Sequence, residues 1–566
     1  MDARSVELPA TLDALITSRL DLLPDTERLA IETAAVEGPV FTREAVAALA
    51  PAALRDGVAS AIDGLVRRDF ARPTTVDGVQ ALRFRHLIVR DVAYRGIAKA
   101  RRADTHERFA RWLEQAASRH AGEWIELVGY HLEQAWRYRA ELGGAADRLR
   151  ELGGAAAMWL ERAAGRARTR GDGAAAITLL RRAAEVVPVD DAPRGRVLAH
   201  LGAVMSDHGR LAEAQTVLEE AGGIATPLGD DTLEARVAVE ALLLELQLDP
   251  AAAVDRAEEL VASAATAFSR SADDEGLGRL AYLVALLNWI QGRVAPAEAS
   301  WVRAADLARR RGDTASLLDA LRWLPSAALY GPMPVGGAIV RCMEVLAELH
   351  GSRRAEADTL GPLAALYAMH GDAERARTLV ARRDAVIAEV GFAMHAVGEW
   401  AAQVELMAGD PQAAEAHLRD GYARLEEIGE RAFLTTTAGL LARALHAQGR
   451  DEEALAFTGV CEETAAPDDV AAQIAWRGSR ARILAARGRA EEAVALARDA
   501  VELAERTDLV TDHADALLDL TESLRALGRN VDAGGAARQA EALYRTKGNV
   551  VASRRARSVL EELVPA

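Results

Sequence analysis

Beyond about residue 156, Leu, Val and Ile fall at i, i+3 and i+4 around small residues, as in Ala454-Leu455 or Ala493-Val494-Ala495-Leu496. That is the period of a helix, not the two-residue period of a strand. Short glycine turns interrupt it at Gly171-Asp172, Gly209-Arg210, Gly292-Arg293, Gly371-Asp372, Gly409-Asp410, Gly449-Arg450, Gly488-Arg489 and Gly528-Arg529. Successive turns lie 38, 83, 79, 38, 40, 39 and 40 residues apart, and Asp249-Pro250 and Gly331-Pro332 divide the two long gaps. Ten turns with a period of 38 to 43 residues predict ten helical hairpins.

Side-chain size repeats in register with the turns. Seven residues before each glycine stands a small residue: Ala164, Gly202, Ala285, Ala364, Ala402, Ala442, Ala481, and the larger Thr521. Five residues after it stands Ala176, Ala214, Ala297, Ala376, Ala414, Ala454, Ala493 or Ala533. Seven further on the residue is again small: Ala183, Ala221, Ala304, Gly421, Cys461, Ala500, Ala540. Helix axes approach to about 8 Å only where small side chains meet. A hairpin patterned this way cannot bury its apolar face alone, so its neighbours must stack on it. The spacing of twelve and then seven resembles the tetratricopeptide (TPR) consensus over roughly residues 156–545. It differs in length, since units of that family have 34 residues, and the units at Asp249 and Gly331 keep neither column. The fold expected is all-α: a right-handed TPR-like solenoid of about ten hairpins.

Before residue 156 the repeat is lost. The pattern there predicts helices over 12–23, 25–36, 41–49 and 55–68, with Asp25 or Thr26 capping the second. Two short runs, 70–73 and 79–84, flank Thr-Thr-Val-Asp-Gly and read as a β-hairpin, followed by a helix over 86–97. Helices followed by a small hairpin outline a winged helix. The domains expected are a winged-helix-like domain over 1–98, a helical linker over 99–155 and helical repeats over 156–566.

Several stretches here, Leu8-Pro-Ala-Thr-Leu, Leu22-Leu-Pro, Phe84-Arg-His-Leu-Ile-Val-Arg-Asp-Val-Ala-Tyr, Arg101-Arg-Ala-Asp-Thr-His-Glu-Arg and Tyr130-His-Leu-Glu, resemble the segment after the ATPase core in bacterial STAND regulators (signal-transduction ATPases with numerous domains). The likeness covers about residues 8–170 and is to those fused to class III adenylate cyclase or transcription-activator domains. In that family a winged helix leads from the nucleotide-binding core into TPR-like sensor repeats. The resemblance implies that His86 takes the place of a winged-helix histidine that touches the nucleotide's phosphate. Leu87 departs from the acidic residue of the family's motif, and a histidine that caps or packs at a helix start is the alternative.

Composition narrows the chemistry. Half of the 566 residues are hydrophobic, only 4% are aromatic and the net charge is -17, which disfavours general nucleic-acid or membrane binding. Cys342 and Cys461 form no CxxC, and no apolar leader or 18-residue apolar run occurs, so a cytoplasmic protein is expected. The only lysines, Lys99 and Lys547, do not follow a glycine, so there is no P-loop. His106-Glu107 lacks the second histidine of a metalloprotease, His200 and His208 are eight apart across a turn, and no Gly-x-Ser-x-Gly elbow occurs. No enzyme, no metal and no cofactor are expected.

A basic run, with Arg83, Arg85, Arg90, Arg95, Lys99, Arg101 and Arg102 and continuing to Arg119, admits three readings: a phosphate-binding DNA surface, a dock for an ATPase core or other acidic surface, and a solvated helix face. Mapping the TPR columns puts residues three, six and ten before each turn on the concave face. Glu399, Gln403, Arg443, His446 and Arg482 are therefore the candidate groove residues. The leading expectation is a non-catalytic sensor module of a STAND-type regulator, lacking its ATPase core, that binds a protein, peptide or small inducer. It is either a stand-alone remnant or the downstream part of a longer chain whose true start is not Met1. The alternatives are a free-standing TPR adaptor and a winged-helix DNA-binding regulator.

Overall fold

The computed structural model describes residues 10–51, 55–76, 78–117, 124–349, 351–390, 398–428 and 432–563. Leu8, Pro9 and Arg119, noted above, lie outside these. The chain divides into two compact units, one reaching to Leu228 apart from residues 169–171, the other running from Gly229 to the C-terminus with those three residues.

The first unit opens with α1 (Ala10–Asp21), α2 (Asp25–Glu37), β1 (Val40–Phe41), α3 (Arg43–Leu49), α4 (Arg55–Arg67), β2 (Ala71–Val76), β3 (Val79–Phe84) and α5 (Leu87–Gly96). The sheet has the order β1-β3-β2 and is antiparallel, with Phe41 opposite Leu82 and Pro73 opposite Leu82 on the other edge. Helix, strand, two helices and a β-hairpin follow in this order, a small three-stranded sheet among helices. Its core is the buried face of α2 (Ala30, Ile31, Ala34) against Ile62 and Leu65 of α4 and the Phe41–Phe84 pair, whose rings lie 5.1 Å apart. Thr42 caps α3 by accepting from the Ala45 amide. The helix at Asp25 is capped differently from expectation: its N-cap is Pro24, with no side-chain cap bond, because Asp25 already lies in the first turn.

Next come α6 (Lys99–Ala117) and α7 (Ile125–Glu141), which pack on each other within the segment expected as a helical linker. The first repeat begins at α8 (Ala146–Thr169), ten residues before residue 156, and pairs with α9 (Gly173–Glu185). The hairpin α10 (Ala192–Asp207) and α11 (Leu211–Leu228) completes the first unit. The boundary between units therefore falls inside the repeats.

The second unit continues with α12 (Asp231–Leu248) and α13 (Pro250–Ser271), α14 (Asp274–Ile290) and α15 (Val294–Arg311), then a first helix broken into α16 (Thr314–Leu321) and α17 (Leu324–Tyr330) that pairs with α18 (Val335–Glu348). Five regular elements of the repeat follow: α19 (Arg353–His370) with α20 (Ala373–Val390), α21 (Glu399–Ala408) with α22 (Pro411–Ile428), α23 (Ala432–Ala447) with α24 (Asp451–Thr464), α25 (Val470–Ala486) with α26 (Ala490–Ala504), and α27 (Val510–Ala526) with α28 (Asn530–Lys547). A last helix, α29 (Val550–Leu563), covers the end. These are hairpins of the TPR type.

All eight turn glycines have φ between +67° and +96°, the left-handed region that glycine tolerates. At Gly371 the Asp372 amide donates back to Tyr367 O, closing a Schellman end, while the Asp372 carboxylate accepts from the Arg375 amide to start the next helix. In four of the five Gly-Arg turns the arginine reaches an acid three residues on, as in Arg450–Glu453 and Arg529–Asp532, while Arg293 bonds Gln291. The alanines five residues after each turn have no exposed surface at all, from Ala176 to Ala533. The column before the turns is equally buried, Thr521 included, and a Cβ on Gly202 would meet Leu218 at 2.6 Å.

The second unit also closes on itself. Residues of α14–α17 and of α26–α29 share one core, in which Ala285, Trp301, Leu321, Ala500, Leu517 and Tyr544 are buried together. Trp301 stacks on Trp323 at 5.2 Å, with Trp289 against both. Two polar latches tie the ends. The Asp508 carboxylate accepts from the amides of Val294 (2.6 Å) and Ala295 (2.8 Å) at the start of α15, while its own amide donates to Gly292 O. Lys547, fully buried, donates from Nζ to Ala328 O (2.9 Å), Gly331 O (2.6 Å) and Met333 O (2.8 Å) at the end of α17. Burial pulls its pKa down to about 8, opposed by Asp512 and Glu298, so at neutral pH the ammonium keeps the three protons that the three carbonyls need.

Replacing Lys547 with Met keeps the aliphatic stem and removes the ammonium, leaving three carbonyls unpaired. Its expected cost is about 2–3 kcal/mol of unfolding free energy. Hydrogen exchange should quicken in α14–α17 and α27–α29 together. Faster exchange confined to residues around 547, with α17 unchanged, would contradict the latch.

Candidate functional site

The inner face of the second unit is built by the first helix of each hairpin. A hollow of about 650 Å³ opens between α23, α25, α27 and α29, lined by Ala442, Arg443, His446, Ser479, Arg482, Asp519 and Arg555 among others. Three of the five candidate groove residues, Arg443, His446 and Arg482, line it. Gln403 and Glu399 lie on the first helix of an earlier hairpin: Gln403 bonds the Tyr330 hydroxyl and Glu399 accepts from Thr437 Oγ1 at 2.9 Å. The arrangement thus brings three together and gives the other two partners of their own.

Charged pairs tie the helices around the hollow together, within one hairpin, between neighbouring hairpins and across an intervening one. Arg443 Nη2 lies 3.0 Å from Asp515, whose other oxygen accepts from the Tyr544 hydroxyl. Arg482 pairs with Asp519, which packs where a Cβ on Gly478 would sit. His446 Nδ1 is 2.8 Å from Asp451. Arg443, which lines the hollow, and its partner Asp515 still expose 37% and 30% of their side chains, so the pair is not sealed in a core. Asp515 raises the Arg443 pKa against the effect of burial. Burial pushes Asp515 upward, but Arg443 and the Tyr544 hydroxyl outweigh it and hold the carboxyl below its usual range. Neighbouring Asp512 has no such partner, and burial followed by repulsion from Asp515 raises it to about 7.

Sequence reasoning missed Asp515, Asp519, Ser479 and Arg555. Ser479 and Asp519 stand nine residues before their turns, half a step from the column that carries Gln403, Arg443 and Arg482, so extending that column one helical turn back would have found them. Arg555 follows the last turn and has no repeat to index it.

The basic run in the first unit does not form one patch. Arg85 pairs with Asp69, Arg90 with Asp91, Arg95 with Asp13, Lys99 with Glu141 and Arg101 with Glu32. Arg102 lies over the rings of Tyr94 and Tyr138. Arg83 is exposed and forms no ion pair among the described residues. His86 is exposed at the N-cap of α5 and makes no side-chain cap bond.

A second polar cluster lies inside the α6–α7 hairpin. His106 Nδ1 and His131 Nδ1 are 2.7 Å apart, His106 Nε2 is 2.8 Å from the Tyr94 hydroxyl, and that hydroxyl is 2.9 Å from Tyr138. Beside them Glu107 meets Arg111, Arg139 and Arg148. Among the described residues no group of His, Cys, Asp and Glu is arranged to hold a metal ion, and His200 instead pairs with Glu161. Both cysteines are buried, and burial pushes each thiol up to about 12. No helix among the described residues is long and apolar enough to cross a membrane.

No protein-family model matches the chain, and no curated protein is similar to it. Among solved structures, a STAND protein with a tetratricopeptide repeat sensor from Pyrococcus horikoshii aligns over 80% of this chain and 68% of its own, at 15% identity and a TM-score of 0.40. A Rap protein complexed with competence and sporulation factor aligns over 66% and 99%, at 12% identity and a TM-score of 0.37. Human IFIT1, in a dimer with m7Gppp-AAAA, aligns over 74% and 95%, at 14% identity and a TM-score of 0.40. Likeness at this level carries no ligand or partner across.

Burial lowers the pKa of both histidines, His131 to about 3 and His106 well below 6.5, with Arg90 and, for His106, the His131 ring adding to it. Between pH 6.5 and about 3 the unfolded chain therefore binds protons that the folded chain does not. The stability of the α6–α7 hairpin is full above pH 6.5 and is lost as pH falls, by on the order of 2 kcal/mol from His131 at about pH 5, with His106 acting in the same direction. Hydrogen exchange over 99–141, corrected for intrinsic rates, should show this loss, and His131→Gln should flatten it. Protection that stays level from neutral pH to about pH 5 would contradict it.

Proposed function

We propose that this chain is a non-catalytic receptor module, whose second unit admits a ligand or a partner's segment into the hollow on its inner face. The observation that carries this reading is the convergence of Arg443, Arg482, Asp519 and Arg555, from three successive hairpins and the last helix, on one water-accessible hollow, between walls of alanine. Polar side chains held by rigid helices around a recess of this size are what small-molecule and peptide recognition needs. The finer reading is a sensor of a STAND-type regulator. The winged-helix-like domain would then dock on an ATPase core supplied by the rest of a longer chain or by a partner, with exposed His86 turned toward it. A duplex-binding role gains no support from the basic run, because five of its seven members are already engaged by acids of the same unit.

Charge reversal at Arg443 or Arg482 would break the rungs to Asp515 and Asp519, so the hollow is better tested without touching them. A photo-crosslinking residue placed at Ala447 or Ala486, both exposed in the hollow, should capture an occupant in cells. The same residue at Ala495, exposed on the second helix of its hairpin, should not. Equal labelling at all three positions, or none at Ala447 and Ala486, would overturn the reading.

A further inference from the structure

The arginines of the hollow are not fully answered by acids. Arg443 and Arg482 have Asp515 and Asp519, and Arg525 has Glu522 and Glu562. Arg555 forms no hydrogen bond or ion pair among the described residues, although it lines the same hollow. Its pKa is lowered first by Arg482 and then by burial, against the pull of Asp515 and Tyr544: one guanidinium is forced toward another. Arg482 in turn has a buried Nε with no hydrogen-bond partner. Arg443, Arg482 and Arg525 are thus each met by a carboxylate, and Arg555 alone among the arginines of the lining is not. Arg555 is exposed and its donors meet water, but the buried Nε of Arg482 is left unfilled; an anion held by the two guanidiniums supplies an acceptor and offsets their mutual repulsion.

From this, and resting on the reading of the hollow as a ligand site, we infer that Arg555 and Arg482 form an oxyanion site for a small anionic ligand carrying a phosphate or several carboxylates. Planar guanidiniums with two N–H donors on one edge match both groups. The rest of the lining selects the ligand's body. Ala447, Ala486 and Ala526 offer a shallow apolar wall, and no aromatic side chain lines the hollow among the described residues, so there is no platform on which a nucleobase would stack. The ligand class is a compact metabolite with an aliphatic or sugar body. His446, turned to Asp451, and Ser479 add hydrogen-bonding edges on the opposite helices.

The test uses inorganic phosphate and citrate as probes on the full chain, by titration calorimetry against chloride at matched ionic strength. At least one should bind saturably. A preference for phosphate assigns a phosphorylated ligand, and a preference for citrate a polycarboxylate. Arg555→Gln should weaken binding at least about tenfold, the loss that one charge-assisted hydrogen bond carries. Since that arginine has no acid partner to abandon, the variant's unfolding midpoint without anion should stay level or rise. Arg506→Gln, which removes an exposed arginine paired only with Glu502, should bind as the parent does. Absence of saturable binding by either anion, or binding unchanged in Arg555→Gln, would overturn the inference. If crosslinking at Ala447 and Ala486 still succeeds while both anions fail, the hollow remains a receptor site and the anion assignment alone falls.

Discussion

A buried ammonium that donates to three carbonyls more than 210 residues away is the constraint on which the second unit depends. Stacked hairpins bury their faces only against their neighbours, so an open stack leaves both ends and its curvature free to vary. Lys547 and Asp508 remove that freedom. One satisfies the carbonyl end of α17, where the helix dipole is negative, and the other satisfies the amide start of α15, where it is positive. Between them lies a shared apolar core with Trp301 and Tyr544 at its centre. The glycines permit the approach: a Cβ at Gly331 would meet Val294 at 2.8 Å, and one at Gly292 would meet Thr507 at 2.7 Å.

Closure is what turns a curved face into a defined hollow. With its ends fixed, the spacing between the inner helices is fixed, and the rungs Arg443–Asp515 and Arg482–Asp519 can form across hairpins at all. The same geometry holds Arg555 next to Arg482, because α29 is pinned beside α28 by the core that the latch protects. Tyr544 links the two levels. It is fully buried in the closure core, and its hydroxyl donates to Asp515, the partner of Arg443 in the lining. The charge chemistry of the site thus descends from the closure.

The sequence made the hairpins legible for a physical reason. Close helix contacts tolerate only small side chains, so Ala454, Ala493 and Ala533 could not vary in size without leaving a trace in the spacing. The helices and the β-hairpin before residue 98 were legible too, since Thr42, the 70–84 hairpin and the α2 pattern are local signals. The closure was not. Lys547 stands in Thr-Lys-Gly, with nothing near it to show that its partners are Ala328, Gly331 and Met333. The pairing is set by how many hairpins complete a turn, which no local window contains. The basic run misled in the opposite way. Its charges cluster along the chain, yet their partners Asp13, Glu32 and Glu141 come from other helices and neutralise it in space. In the hollow, the columns place Arg443, His446 and Arg482 together because they follow the repeat. They missed Arg555, which lies beyond the last repeat.

The most direct test of closure is the distance between spin labels at positions 293 and 506, flanking the Gly292–Asp508 junction, read by pulsed electron resonance. Cys342 and Cys461 are buried with thiols raised to about 12, so labelling is confined to the introduced cysteines. A closed unit gives one short, narrow distance distribution, which broadens and lengthens when Lys547 is replaced by Met. A long or broad distribution in the parent chain would show an open stack of hairpins and contradict the account.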